Sequence, residues 1–196
     1  MGRERLTAFT DGVVAIIITI MVLEMKAPHG ASLGDLAGLT PVFLSYVLSF
    51  IYIGIYWANH HHFFHLVTTV NGAVLWANLQ LMFWLSLVPF TTAWMGENHF
   101  APLPTALYGV SLLMAGLSWY IMQLVIIANQ GPESPLRAAL GRDLKSNLSL
   151  GIYAAGIAAA FVNSWVALAL YMTVAVIWLI PDRRVETHVA RSHAEP

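Results

Sequence analysis

Twenty consecutive residues near the start of the chain, 6–25, carry only Asp11 and Glu24 as charged side chains. As a helix such a segment spans roughly 30 Å, the thickness of a hydrocarbon core. The stretch therefore predicts a membrane helix. The rest of the chain agrees, since 58% of its residues are hydrophobic and 10% charged, where a soluble domain carries about 25% charged. The mean hydropathy of +0.69 makes water the lesser solvent. A net charge of −1 leaves no electrostatic footprint for nucleic acid. The absence of cysteine removes disulfides, thiolate metal sites and thiol catalysis together, and leaves the redox compartment unreadable. Arginines ahead of an apolar run superficially suggest a signal peptide, but the run is of full membrane length and ends in LEMKAP without a small-x-small pattern, so it is expected to be retained.

Further apolar segments follow, separated by turn-rich connections. The expected spans are about 6–25, 41–62, 70–92, 105–128, 146–162 and 165–180 within a single membrane domain, 1–196. The last two come from an apolar region too long for one ordinary span, with Asn163 and Ser164 placed to turn between them. Basic residues arbitrate, because cytoplasmic flanks collect Lys and Arg. Six spans with both termini cytoplasmic put Arg3, Arg5, Arg137, Arg142, Lys145, Arg183, Arg184 and Arg191 inside and only Lys26 outside. A single long final helix would leave the charge nearly balanced. The predicted fold is an all-α integral membrane protein of six transmembrane helices. Trp57, Trp94, Tyr108, Trp165 and Trp178 lie near the predicted ends, as an interfacial aromatic belt requires.

Placed 100° apart, the residues of the first segment form two stripes. Asp11, Ala15, Ile18, Val22 and Met25 fall on one, and Phe9, Gly12, Ile16, Thr19, Ile20 and Leu23 on the other. An ionisable residue within a span is a functional candidate, and Asp11 is expected to turn into the body of the protomer. Capping of the helix near the headgroups is the plainer role for it. His60, His61, His62 and His65 cluster at the end of the second span, with His61 and His65 at the i, i+4 spacing that suits zinc. No cysteine or acidic ligand is near in sequence, so a metal on His61 and His65 is kept only as the alternative, and burial of one histidine as a hydrogen-bond partner, with Arg5 and Asp11 offered by charge complementarity, is the leading reading. Asn78, Gln80 and Gln123 are expected to hydrogen-bond between helices, and the small residues around Gly109 and 151–160 to allow close packing. Nothing resembles HExxH, a nucleophile elbow or a phosphate loop, so no enzyme and no cofactor are expected.

Three strings carry a resemblance. RLTAFTDGVVAI resembles the first-helix signature R-x-x-x-F-S-D-G-V-x-A-I of the transmembrane protein 175 family of potassium channels, found in lysosomes and bacteria. IYWANHH resembles that family's Y-W-x-x-H, and NLQLMFWLSLVPFTT its third-helix N-L…L-P-F/Y-T, all in order over residues 5–92. Thr10 stands where the family has serine and keeps the hydroxyl. The resemblance implies a six-helix subunit without a TVGYG-type filter, assembling as a homotetramer with first helices around a central pore that passes K+ and candidate other monovalent cations. It implies Ile16, Ile20 and Leu23 as apolar gate or constriction rings, Thr19 as a selectivity ring, and Arg5, Phe9, Thr10, Asp11 and His60 as a polar network holding the pore helix. The implied setting is the cell membrane, a bacterial inner membrane. The competing reading is a proton- or ion-coupled secondary transporter using Asp11 and His60 as a relay.

Overall fold

Apolar segments with so few polar side chains satisfy their backbone within themselves, and among the described residues every regular element is an α-helix. The structure is a computed structural model describing residues 2–132, 134–140 and 143–179. The helices are α1 Arg3–Glu24, α2 Leu33–Ala37, α3 Thr40–His65, α4 Gly72–Ser86, α5 Val88–Glu97, α6 Pro102–Gln130, α7 Pro135–Leu140, α8 Leu144–Ala160 and α9 Ser164–Leu179. By length and composition, four stretches can cross a membrane: α1, α3, α4 joined to α5, and α6. The chain is a multi-pass membrane protein. Its remaining apolar region is two helices, α8 and α9, of 17 and 16 residues. They are divided at Asn163, whose carbonyl oxygen Oδ1 accepts from the Trp165 N–H at 2.9 Å.

The break between α4 and α5 follows from Pro89. Lacking an N–H, proline forfeits the bond to the Leu85 carbonyl, and the ladder resets at Leu87. Just past the break, the Thr91 hydroxyl bonds back to the carbonyls of Leu87 and Val88, at 3.3 and 3.2 Å. The short α2 is set by a capping box in which the Asp35 N–H donates to the Ser32 hydroxyl oxygen and the Ser32 N–H donates to the Asp35 carboxylate, to which the Ser32 hydroxyl donates as well. Those hydrogen bonds, the hydroxyl's first, hold the exposed Asp35 carboxyl below the usual carboxylate range.

Helix α6 lies at the centre, packed by α4, α5, α8 and α9, while α1 rests on the outer side against α3, α4 and α5. Two glycines fix the closest crossings. A Cβ on Gly96 would collide with the Ser45 hydroxyl and come within 2.8 Å of the Val42 Cα, where α5 crosses α3. A Cβ on Gly109 would collide with the Tyr171 hydroxyl, where α6 meets α9. Tyr108 departs from the expected aromatic belt. It is fully buried, its hydroxyl accepting from Ser49 at 3.0 Å, and Ser49 in turn pairs with Thr92 at 2.6 Å. Trp57 and Trp165 are exposed.

Hydrogen bonds tie together one end of the bundle. The Arg3 guanidinium donates to the carbonyls of His65 and Val67, both at 3.4 Å, and the Gln130 amide at the end of α6 donates to the Leu66 carbonyl at 3.0 Å. The opposite end carries Lys26, 4.0 Å from Glu97 in an exposed pair. Arg142, Arg183, Arg184 and Arg191, which entered the charge argument, lie outside the described residues.

Candidate pore helix and its anchor

Three stripes run along α1. Leu6, Thr10, Val14, Ile17 and Met21 recur at helical spacing and are buried against the other helices. On the far side Phe9, Ile16, Thr19, Ile20 and Leu23 are exposed, with Ile16 at 58% and Leu23 at 76%. Asp11 lies on the flank between them. The expectation that its stripe enters the body of the protomer is corrected here, because the buried stripe is a third one centred on Thr10 and Val14. The side that the wheel assigned to Ile16, Thr19 and Leu23 is nonetheless unburied by this chain.

A polar chain fastens α1 to its neighbours. The Asn78 amide on α4 donates from Nδ2 to Thr10 Oγ1 at 3.0 Å, and Thr10 donates onward to the Leu6 carbonyl at 3.1 Å. With its nitrogen so committed, Asn78 presents Oδ1 to His60 Nε2 on α3 at 2.9 Å, and the imidazole donates. All three side chains are almost wholly buried. The His60 ring also stacks on Phe64, with centroids 4.2 Å apart. In hydrocarbon such groups have no water to fall back on, so each depends on the other two.

Asp11 makes a separate attachment, accepting from Trp57 Nε1 at 3.0 Å on the exposed face. Of the five residues grouped as a polar network, Thr10 and His60 are therefore joined through Asn78. Asp11 sits beside them on a partner of its own. Phe9 is 46% exposed and Arg5 is exposed, and among the described residues neither joins the chain. Trp57 as the partner of Asp11 has no sequence signal, since 46 residues separate them and an aromatic near a span end already has an interfacial explanation. Asn78 had one: a buried amide in an apolar span must find partners. Gln123 follows the same rule: in the amide orientation that satisfies both neighbours it donates to Asp143 at 2.9 Å and accepts from Trp119 at 3.0 Å. Gln80 does not, being exposed on α4.

The Thr19 hydroxyl donates to the Ile16 carbonyl one turn back at 2.9 Å. That bond uses its proton and leaves its lone pairs facing outward. An open groove of about 600 Å³ runs beside this stripe, between Ile16 and Ile20 of α1 and Phe90 and Trp94 of α5, with Glu24, Lys26 and Glu97 at its end. His61 and His65, exposed on α3, bring their Nε2 atoms to 3.2 Å, and among the described residues no group of three or more His, Cys, Asp or Glu side chains is placed to hold a metal ion.

Comparison with known proteins gives these features a context. A family model described as "Endosomal/lysosomal potassium channel TMEM175" matches residues 5–89. A potassium channel of Chryseobacterium sp. is 51% identical over 95% of this chain and 97% of its own length. A potassium channel of Streptomyces collinus is 31% identical over 89% of this chain and 90% of its own. The crystal structure of a lysosomal potassium-selective channel TMEM175 homolog from Chamaesiphon minutus superposes with a TM-score of 0.81 at 25% identity, over 92% of this chain and 97% of that one. The matched segment contains Thr10, Asp11, Ile16, Thr19, His60 and Asn78, and a relative aligned nearly end to end shares half of the residues: the chain belongs to the TMEM175 family, a family of ion channels and not of enzymes.

Proposed function

We propose that the chain is a potassium-permeable cation channel of a bacterial inner membrane. It is a single membrane domain of six spans with both termini cytoplasmic, and four copies assemble with α1 around a shared axis. The observation that carries this is the division of α1. One stripe is buried and anchored by Thr10, Asn78 and His60, while the opposite one, bearing Ile16, Thr19, Ile20 and Leu23, is left to whatever lies outside the protomer. Around an axis, Ile16, Ile20 and Leu23 make apolar rings that close by dewetting. Thr19 oxygens, their protons held by the Ile16 carbonyl, partly replace the hydration shell of K+ more readily than that of the more strongly hydrated Na+. The names of the relatives support K+ as the permeant ion, and the arrangement calls for no cofactor.

The bonds from Arg3 to the α3–α4 connection, which the end of α6 also contacts through Gln130, support a cytoplasmic N-terminus. A relay through Asp11 and His60 is less well supported, because the two bond to different partners, Trp57 and Asn78. The test is reconstitution into liposomes with an outward K+ gradient and a flux-coupled dye, alongside the mass of the detergent-solubilised particle. Rapid, uncoupled K+ flux from a four-chain particle is expected. A monomeric particle without flux, or flux that requires a proton gradient, overturns the reading.

A further inference from the structure

We propose that His61 and His65 form a site for one divalent transition-metal ion of the zinc class at the end of α3. This is independent of how ions permeate. The two residues are one helical turn apart and both are exposed. Their rings meet edge-on, centroids 4.7 Å apart with 82° between the planes, and their Nε2 atoms lie 3.2 Å from each other.

The separation carries the argument. Zn–N bonds are about 2.0–2.1 Å, so two nitrogens 3.2 Å apart subtend about 100–106° at a common metal, close to the tetrahedral value of about 109°. Backbone geometry has thus placed two ligand atoms at adjacent corners of a zinc polyhedron. In the metal-free chain one Nε2–H donates to the other nitrogen. Binding requires that ring to move its proton to Nδ1, which frees both lone pairs with no net change in protonation. Imidazole pairs select zinc, nickel and copper over Mg2+, Ca2+ or K+, which take oxygen ligands. Two imidazoles fill two of the four positions of a tetrahedral zinc ion and leave the others open to water or further donors.

The position gives such a site consequences. His60, which holds Asn78, directly precedes His61, and the Arg3 guanidinium at the start of α1 donates to the carbonyl of His65. A metal across His61 and His65 clamps the turn to which both attachments belong.

The test is calorimetric titration of ZnCl2 into the full-length, tag-free protein in detergent, with His61→Gln, His65→Gln and His62→Gln. One saturable site per chain is expected. Removing a direct ligand should weaken it by no less than the roughly 10–100-fold that loss of an outer-shell partner costs, and His62→Gln should bind as the parent does. The visible ligand-field bands of added CoCl2 should appear in the parent and vanish in His61→Gln and His65→Gln, whatever the variants do as channels. No saturable zinc binding, unchanged affinity in both of those variants, or an equal loss in His62→Gln overturns the assignment.

Discussion

Asn78 offers the sharpest test of how α1 is held. Asn78→Leu keeps nearly the same volume and removes both bonds of the amide, to Thr10 at 3.0 Å and to His60 at 2.9 Å. Hydrogen bonds between membrane helices average about 0.6 kcal/mol and reach about 1.7. A buried donor left without a partner adds about 1–3 kcal/mol. Thr10 keeps its bond to the Leu6 carbonyl at 3.1 Å, so the second cost falls on His60 alone. The sum is a loss of about 2–6 kcal/mol for Asn78→Leu. Thr10→Val removes the bond from Asn78 and the one to the Leu6 carbonyl and leaves the buried Asn78 donor without a partner, so it should cost about 2–5 kcal/mol. Once Asn78 is gone the threonine has nothing further to lose on that side, so the double variant should be no less stable than Asn78→Leu alone. Unfolding in mixed micelles with increasing dodecyl sulfate measures all four proteins. Strictly additive losses, or an Asn78→Leu protein as stable as the parent, would refute the linked chain.

Other outcomes follow from the same geometry. Ile16→Asn should raise resting K+ flux in liposomes, because a polar ring stays wet, and unchanged flux would remove Ile16 from the gate. Thr19→Ala should shift the bi-ionic reversal potential toward equal K+ and Na+ permeability; an unmoved potential would clear Thr19 of selectivity. Gly96→Ala should destabilise the fold by about 1–3 kcal/mol through overpacking against Val42 and Ser45. Gly54→Ala, with open space at its Cβ, should be neutral or better in the same micelle assay. The carboxyl of Asp35 titrates below its ordinary range, so what its cap contributes is present above the unfolded value and is lost as pH falls through the lowered one. Ser32→Ala should move that midpoint upward in a carboxyl-detected NMR titration.

How far these features were legible depends on which physical signal each leaves. Helix content was legible in the apolar runs themselves, and the turn between α8 and α9 at Asn163 was legible because no single span needs 33 residues and a buried amide there would need partners. The expected span 70–92 runs unbroken through Pro89, whereas the helix breaks there into α4 and α5 and continues to Glu97, well past the expected boundary. Periodicity cannot supply the third stripe of α1, and the reason is general to membrane helices. In a soluble protein the buried face is the apolar one, whereas here the inward and outward faces are both apolar and hydropathy does not separate them. Val14, Ile17 and Met21 look no different from Ile16, Ile20 and Leu23 until the packing is known.

Polar residues are therefore the informative minority, and they speak through partners distant in sequence. Thr10, His60 and Asn78 lie on three helices, yet each alone would be an expensive intrusion into hydrocarbon. Their joint presence demands one meeting point, and that point fixes the rotation of α1 about its axis. Once Thr10 must face Asn78, Ile16 and Leu23, about 120° and 140° around the helix from Thr10, have to face away from the protomer. A buried hydrogen-bond chain at one end of the helix thus determines which side chains are offered to the outside along its whole length. In the proposed assembly the anchor residues would act on permeation without lining the path, by setting the angle at which Ile16, Thr19 and Leu23 are presented.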